Sequence, residues 1–129
     1  MTRVLLDTHA LLWWCTADPR LSARARHLIT DPATEVLISA ATGWEIAIKA
    51  ALGALPLNET PEALVRRETS VNGMRELPID MRHALHVFQL PPLHKDPFDR
   101  ILVSQAIIER LPIVTDDRQI RKYGVPVEW

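Results

Sequence analysis

The sequence predicts an α/β protein, three layers deep, in which helices cover both faces of a short, mainly parallel sheet. Two observations predict this. Short apolar runs (RVLL, EVLIS, PIVT) recur along the chain, and stretches with helix caps and helical spacing separate them. The apolar residues in each run are consecutive rather than alternating, as expected for strands buried on both faces. The chain has 129 residues, 47% of them hydrophobic, which suits a single domain over 1–129 with its own core.

Arg3–Leu6 reads as the first strand, ended by Asp7. Thr8–Cys15 lacks β-branched residues after Thr8, so it reads as a helix. Asp18-Pro19 marks a turn. Ser22–Ile29 reads as a helix with Ser22 as N-cap. Glu35–Ser39 is a second strand, and Ala40–Leu52 a helix closed by Gly53. On that helix Trp44, Ile48 and Leu52, with Leu55 beyond it, mark an apolar face. Thr60-Pro61-Glu62 is a helix start, with the helix running to about Thr69.

Met74–Pro78 reads as a short strand and Asp80–Phe88 as a helix, before Pro91-Pro92 breaks the chain. A long helix follows over Asp96–Arg110. Then come a strand at Pro112–Thr115, a short helix at Asp117–Tyr123 stopped by Gly124, and a last strand at Val125–Glu128.

Bulk composition excludes several function classes. The net charge of −1 gives no global field toward nucleic acid or membrane, so RNA binding needs local cations or bound metal. One cysteine, Cys15, allows no internal disulfide, reads as a core residue and fits a cytoplasmic setting. The amino-terminal stretch lacks the basic start and cleavage site of a leader, and Asp7 and His9 interrupt it. No apolar run approaches the ~20 residues that span a bilayer.

The chemistry sits in the acids. In an open α/β sheet, ligands bind beyond the carboxyl ends of the strands. Asp7 directly follows one predicted strand, Asp116 and Asp117 another, and Ser39 ends a third. Each acid has an ordinary alternative. Asp7 and either of Asp116 or Asp117 suit helix caps, and Glu45 has Lys49 four residues on, as in a solvated ion pair. In HKDPFDRILVSQA, Asp96 precedes Pro97 and suits an N-cap, while Asp99 at the third helical position is harder to explain that way. Convergence at one edge changes the weighting. Several like charges there repel unless cations neutralise them, and hard oxygen ligands suit Mg²⁺ or Mn²⁺. Carboxylate-held metal ions are a device for phosphodiester hydrolysis.

Four stretches, VLLDTHALLWW (4–14), SAATGWEIAIKAALG (39–53), HKDPFDRILVSQA (94–106) and IVTDD (113–117), together resemble the PIN-domain ribonucleases. Among these the chain is most similar to the VapC-type toxins of prokaryotic toxin–antitoxin pairs. The stretches follow the family's order and cover nearly the whole chain. The resemblance implies a PIN-like fold and a metal-dependent endoribonuclease with one or two Mg²⁺ or Mn²⁺ ions per site. It assigns the catalytic, metal-holding acids to Asp7, Glu45, Asp99 and Asp117, the T-x-D pattern selecting Asp117 over Asp116. Asp96 and Asp116 become supporting residues, as do Thr8, Ser39 and Thr115 where the family has small hydroxyl residues. Expected partners are an RNA substrate, a cognate antitoxin and a second copy in a homodimer. The alternatives are a non-catalytic PIN-fold binding or regulatory module, and a phosphohydrolase with Asp7 as nucleophile. His9 stands against the last, where such enzymes carry a second aspartate.

Candidate RNA contacts are Lys49, Lys95, Arg100 and Arg118; Arg24, Arg26, Arg66 and Arg67 read as solvated faces. One of Trp13 and Trp14 belongs to the core and the other to the core, an interface or a base stack. His9 suits a pocket rim or an internal packing position, and His83, His86 and His94 show no interpretable spacing. Pro56–Thr69 suits an antitoxin or dimer surface.

Overall fold

The computed structural model describes residues 2–129, so Met1 of the expected domain lies outside it. The chain begins with β1 (Thr2–Leu6), α1 (Thr8–Cys15) and α2 (Ala23–Thr30). Next come β2 (Thr34–Ser39), α3 (Ala40–Ala51), α4 (Pro61–Ser70) and β3 (Arg75–Leu77). It ends with α5 (Met81–His86), α6 (Pro97–Glu109), β4 (Ile113–Val114), α7 (Arg118–Arg121) and β5 (Val127–Glu128). A single 3₁₀ turn, Val87–Gln89, extends α5. Where one helix to Phe88 is expected, the α-helix ends at His86 and the chain tightens before the Pro91-Pro92 break.

The five strands form one sheet in the order β3-β2-β1-β4-β5, and every pairing is parallel. β1 is therefore central, and its side chains divide the core. Leu5 points to one face, where it joins Leu102, Val103, Leu111 and Ile120. Val4 and Leu6 point to the other, with Leu11, Leu28, Ile46 and Leu64. Opposite faces for successive residues follow from the strand's period of two. The three-layer α/β arrangement follows from burying both faces of this sheet.

Caps set the helix starts. Ser22, Thr60 and Asp80 each accept a backbone N–H of the first turn, and Pro61 takes the first helical position of α4. Gly53, at φ 72°, supplies the left-handed residue after α3. Arg110, within the expected span of the long helix, instead leaves α6 at φ 56°.

The apolar face expected on α3 is not the core face. Trp44, Ile48 and Leu52 are exposed, at 60%, 36% and 77%. The buried face carries Ala41, Thr42, Glu45 and Ile46. The helix therefore turns its more polar face inward, where an acid is held.

Both tryptophans of the Trp13-Trp14 pair are half-buried. The Trp14 indole Nε1–H donates to buried Glu68 Oε1 at 2.7 Å, and the Asn72 amide donates to the same oxygen at 2.8 Å. Arg67 donates to Glu68 Oε2 at 3.1 Å and pairs with Glu59 at 2.5 Å, so it is not the free solvated residue expected. Burial pushes the adjacent Cys15 thiol up to about 12, which keeps it protonated. This network ties α4 to the end of α1. Trp14→Phe leaves a buried carboxylate oxygen short of one donor, so it should destabilise the fold by about 1–3 kcal/mol. Urea unfolding followed by fluorescence measures it, and unchanged stability would show that Asn72 and Arg67 suffice.

Candidate active site

The register Leu6↔Val114 sets the ends of β1 and β4 side by side, and the Asp7 N–H donates to the Val114 carbonyl at 3.1 Å. Asp7 is buried and serves two neighbours. Its Oδ1 caps α1, accepting the Ala10 N–H at 2.7 Å, and its Oδ2 accepts the Thr115 hydroxyl. Thr115 Oγ1 in turn accepts the Asp117 N–H at 3.0 Å. Asp117 caps α7 through the Gln119 N–H at 2.7 Å. Both acids therefore cap helices and face one site, so the two readings of each do not compete.

Glu45 enters from the buried face of α3. The Thr8 hydroxyl donates to Glu45 Oε1 at 2.6 Å, and Lys49 Nζ donates to Oε2 at 2.6 Å. Thr42 lies 3.2 Å from the Thr8 hydroxyl and closes the group; nothing in the sequence singled it out. The Glu45 side chain is 6% exposed, whereas that of Lys49 is 44% exposed. The pair is thus not the solvated decoration its spacing allows. The hydrogen bond to Glu45 raises the Lys49 ammonium pKa, and the charges of Asp96 and Asp99 add to this, so Lys49 lies within the field of three acids.

Asp96 caps α6 as expected, its Oδ1 accepting the Phe98 N–H at 2.9 Å and the Asp99 N–H at 3.3 Å. Pro97 fixes the first helical residue, and Asp99 lies within the first turn of α6. Burial pushes the Asp99 carboxyl up to about 6, against a hydrogen bond from His94, and the charges of Asp96 and Asp117 raise it further. Burial likewise raises Asp7, and Asp117 adds to it. The charge of Asp117 therefore opposes the ionisation of both Asp7 and Asp99.

Other expected residues bond to different partners or face solvent. Ser39 is buried but donates to Gln105 Oε1 at 2.5 Å and caps α3, without bonding to any of the four acids. Asp116, Lys95 and Arg118 are exposed. Arg100, expected to meet phosphate, instead donates to the Pro91 carbonyl at 2.9 Å and to the Tyr123 hydroxyl at 2.8 Å. Its other contacts are the Val87 and Leu90 carbonyls, so its fork is consumed by the loop before α6. His9 is exposed and leans on Trp13, ring centroids 5.7 Å apart. With Thr8, Trp13 and Lys49 it lines a cavity of about 410 Å³ beside Glu45, as a rim residue would.

Sequence reasoning missed His94. Its Nε2 lies 3.1 Å from Asp99 Oδ2 and its Nδ1 lies 2.7 Å from the Tyr123 hydroxyl. The available signal was its place five residues before Asp99, with Pro97 between to fold the loop back.

The sequence model of the PIN domain matches residues 4–126. The chain belongs to the PIN-domain family. It is 31% identical over 127 residues to Ribonuclease VapC22 of Mycobacterium tuberculosis, covering 98% of this chain and 95% of that protein. A second relative, Ribonuclease VapC16 of the same organism, is 38% identical over 72 residues, 53% of this chain and 51% of that protein. Among solved structures, the fold is similar to VapBC2 of Rickettsia felis bound to a promoter DNA fragment, with TM-score 0.71 and 13% identity, covering 98% and 96% of the two chains. It is also similar to DNA-bound VapBC of Salmonella typhimurium, with TM-score 0.69 and 20% identity, covering 98% and 97%.

Among the described residues, no three His, Cys, Asp or Glu side chains stand together as a ready-made metal cage. The acids of this PIN domain are instead engaged by protein donors: Thr115, Thr8 with Lys49, and His94. The donor chemistry still fits a hard divalent cation. The side chains are anionic oxygens, and two of them are held above their usual range by burial and by like charge, which a cation would relieve.

The raised Asp99 carboxyl carries a pH signature. The folded chain keeps a proton that the unfolded chain releases above its ordinary value of 3.8, so this group opposes folding increasingly as pH rises from about 4 to about 6. In EDTA, Asp99→Asn should therefore be more stable than the parent at pH 8, on the order of 1–3 kcal/mol. That advantage should vanish at pH 4. Urea midpoints across this range test it, and a constant difference at every pH would contradict it.

Proposed function

We propose that this chain is a divalent-metal-dependent endoribonuclease, acting as one domain over 1–129 and as the toxin of a toxin–antitoxin pair. The observation that carries the reading is the set of acids at one end of the parallel sheet. Asp7 and Asp117 follow neighbouring strands, Asp99 comes from the first turn of α6 and Glu45 from the inward face of α3. The relatives named as ribonucleases support the chemistry. The VapBC assemblies among the structural neighbours support a cognate antitoxin partner.

In this reading Asp7, Glu45, Asp99 and Asp117 hold Mg²⁺ or Mn²⁺, one or two ions per site. When bound, the ions supply a polarised water and charge neutralisation at the leaving oxygen of the phosphodiester. The chain's own residues do the rest. Thr8 and Thr115 fix the carboxylates of Glu45 and Asp7. Lys49, held at the site's edge by Glu45 with part of its side chain in solvent, is placed to meet a phosphate. Exposed Lys95 and Arg118 extend the positive charge, Asp96 supports Asp99 through the helix start, and Asp116 faces solvent.

Exposed apolar side chains supply area for protein partners. Trp44, Ile48 and Leu52 project from α3, and Met81, Leu85 and Phe88 from α5 and the turn after it. These suit a homodimer contact and an antitoxin contact. The proposed setting is cytoplasmic, with no membrane partner; no described helix is long and apolar enough to cross a membrane.

Cleavage of RNA with Mg²⁺ or Mn²⁺, assayed for the parent and for Asp7→Asn, tests the function. We expect 5′-phosphate products from the parent, at least a hundredfold loss in the variant on the scale of a removed catalytic group, and loss of activity in excess EDTA. Full activity in Asp7→Asn or in EDTA sinks the mechanism. Mn²⁺ binding without turnover on any RNA would favour a non-catalytic module.

A further inference from the structure

His94, Tyr123 and Arg100 form a connected chain of hydrogen bonds that ends on Asp99. Arg100 can only donate, so the Tyr123 oxygen accepts from its Nη1 at 2.8 Å. The Tyr123 hydroxyl proton is then free for His94 Nδ1, 2.7 Å away. A neutral His94 accepting there carries its proton on Nε2, which faces Asp99 Oδ2 at 3.1 Å, an acceptor-only atom when ionised. Every atom in the chain is satisfied by this one arrangement. The His94 and Tyr123 rings also pack together, centroids 5.4 Å apart, and the Arg100 guanidinium lies 5.8 Å from the Tyr123 ring centre.

The mechanical setting matters as much as the bonds. Arg100 gathers the Pro91 and Leu90 carbonyls, which fixes the loop that carries His94. Tyr123 sits just past α7, whose cap is Asp117. One short segment therefore holds an acid at its start and a brace for another acid at its end. His94 is only 12% exposed at the side chain, so it is poorly placed to meet a long substrate.

We propose that His94 is a positioning residue for Asp99, locked in its Nε2–H tautomer by Tyr123 and Arg100, and that it fixes the Asp99 carboxylate for holding a divalent ion. The inference rests on the metal-site reading above. It gives Arg100 a role through Tyr123 rather than on RNA.

The test uses His94→Ala, His94→Gln and Tyr123→Phe in the full chain, with Mn²⁺ titrated by calorimetry alongside RNA cleavage. Removing a hydrogen-bond partner behind a metal ligand costs about 10- to 100-fold in affinity or rate. We expect His94→Ala to weaken Mn²⁺ binding about tenfold or more and to lower kcat while KM for RNA stays put. His94→Gln, whose amide offers an N–H, should recover part of the loss. Adding His94→Ala to Asp99→Asn should change Mn²⁺ affinity less than twofold, because the residue acts through Asp99.

Additive losses, or a rise in KM alone, overturn the proposal. If His94→Ala fails to fold, Tyr123→Phe keeps the ring and carries the same readings. A separate measurement isolates this idea from the ribonuclease reading: ¹⁵N spectra of the His94 imidazole report its tautomer without metal or substrate. An Nδ1–H tautomer overturns the brace even if RNA is cleaved. Mn²⁺ binding that responds to His94→Ala sustains it even if no RNA is cleaved. A parent chain that binds no Mn²⁺ refutes both.

Discussion

Acids held within one another's field at one end of a parallel sheet are the constraint around which this molecule is arranged. Asp7 is buried and Asp99 mostly so, and the charge of Asp117 works against both. Such an arrangement costs stability in an isolated fold. The surrounding structure offsets it locally, with helix starts at Asp7 and Asp117, hydroxyls at Thr8 and Thr115, an ammonium at Lys49 and an imidazole at His94. Each partner is a donor, and together they supply positive potential from the chain itself.

The two cores on either side of β1 serve this edge. Val4, Leu5 and Leu6 are fully buried, so the strand cannot slide by one residue without exchanging its two faces. That fixes where Asp7 emerges. Ile113 and Val114, equally buried, fix Thr115 and Asp117 beside it. Packing precision in the apolar layers thus becomes positional precision in the polar edge, with no flexible linker between.

Much of this was legible in the sequence, for identifiable reasons. Consecutive apolar runs named the strands, and Ser22, Thr60-Pro61 and Asp96-Pro97 named helix starts, because capping chemistry is local. The inward face of α3 was not legible. Its apolar residues Trp44, Ile48 and Leu52 suggested a core stripe, whereas the buried positions include Thr42 and Glu45, which only the acids' tertiary setting explains. Arg100 and His94 failed to declare themselves for a similar reason. Their partners lie at Tyr123 and on the 87–91 carbonyls, contacts that no spacing rule encodes. The tie from Trp14 to Glu68, 54 residues apart, was equally invisible.

The bond between Thr115 and Asp7 joins residues 108 apart in the chain. A contact of this span carries the loop-closure entropy of the chain between its ends, a cost that local helix contacts do not carry. The acid edge therefore depends on residues from both ends of the chain, whereas each helix start depends only on its own segment. The β1–β2 pairing, the α1 cap and the α3 helix can all form before Asp117 has a neighbour. A chain that stops short of β4 therefore carries Asp7 and Glu45 without the Thr115 and Asp117 that stand beside Asp7 in the complete fold.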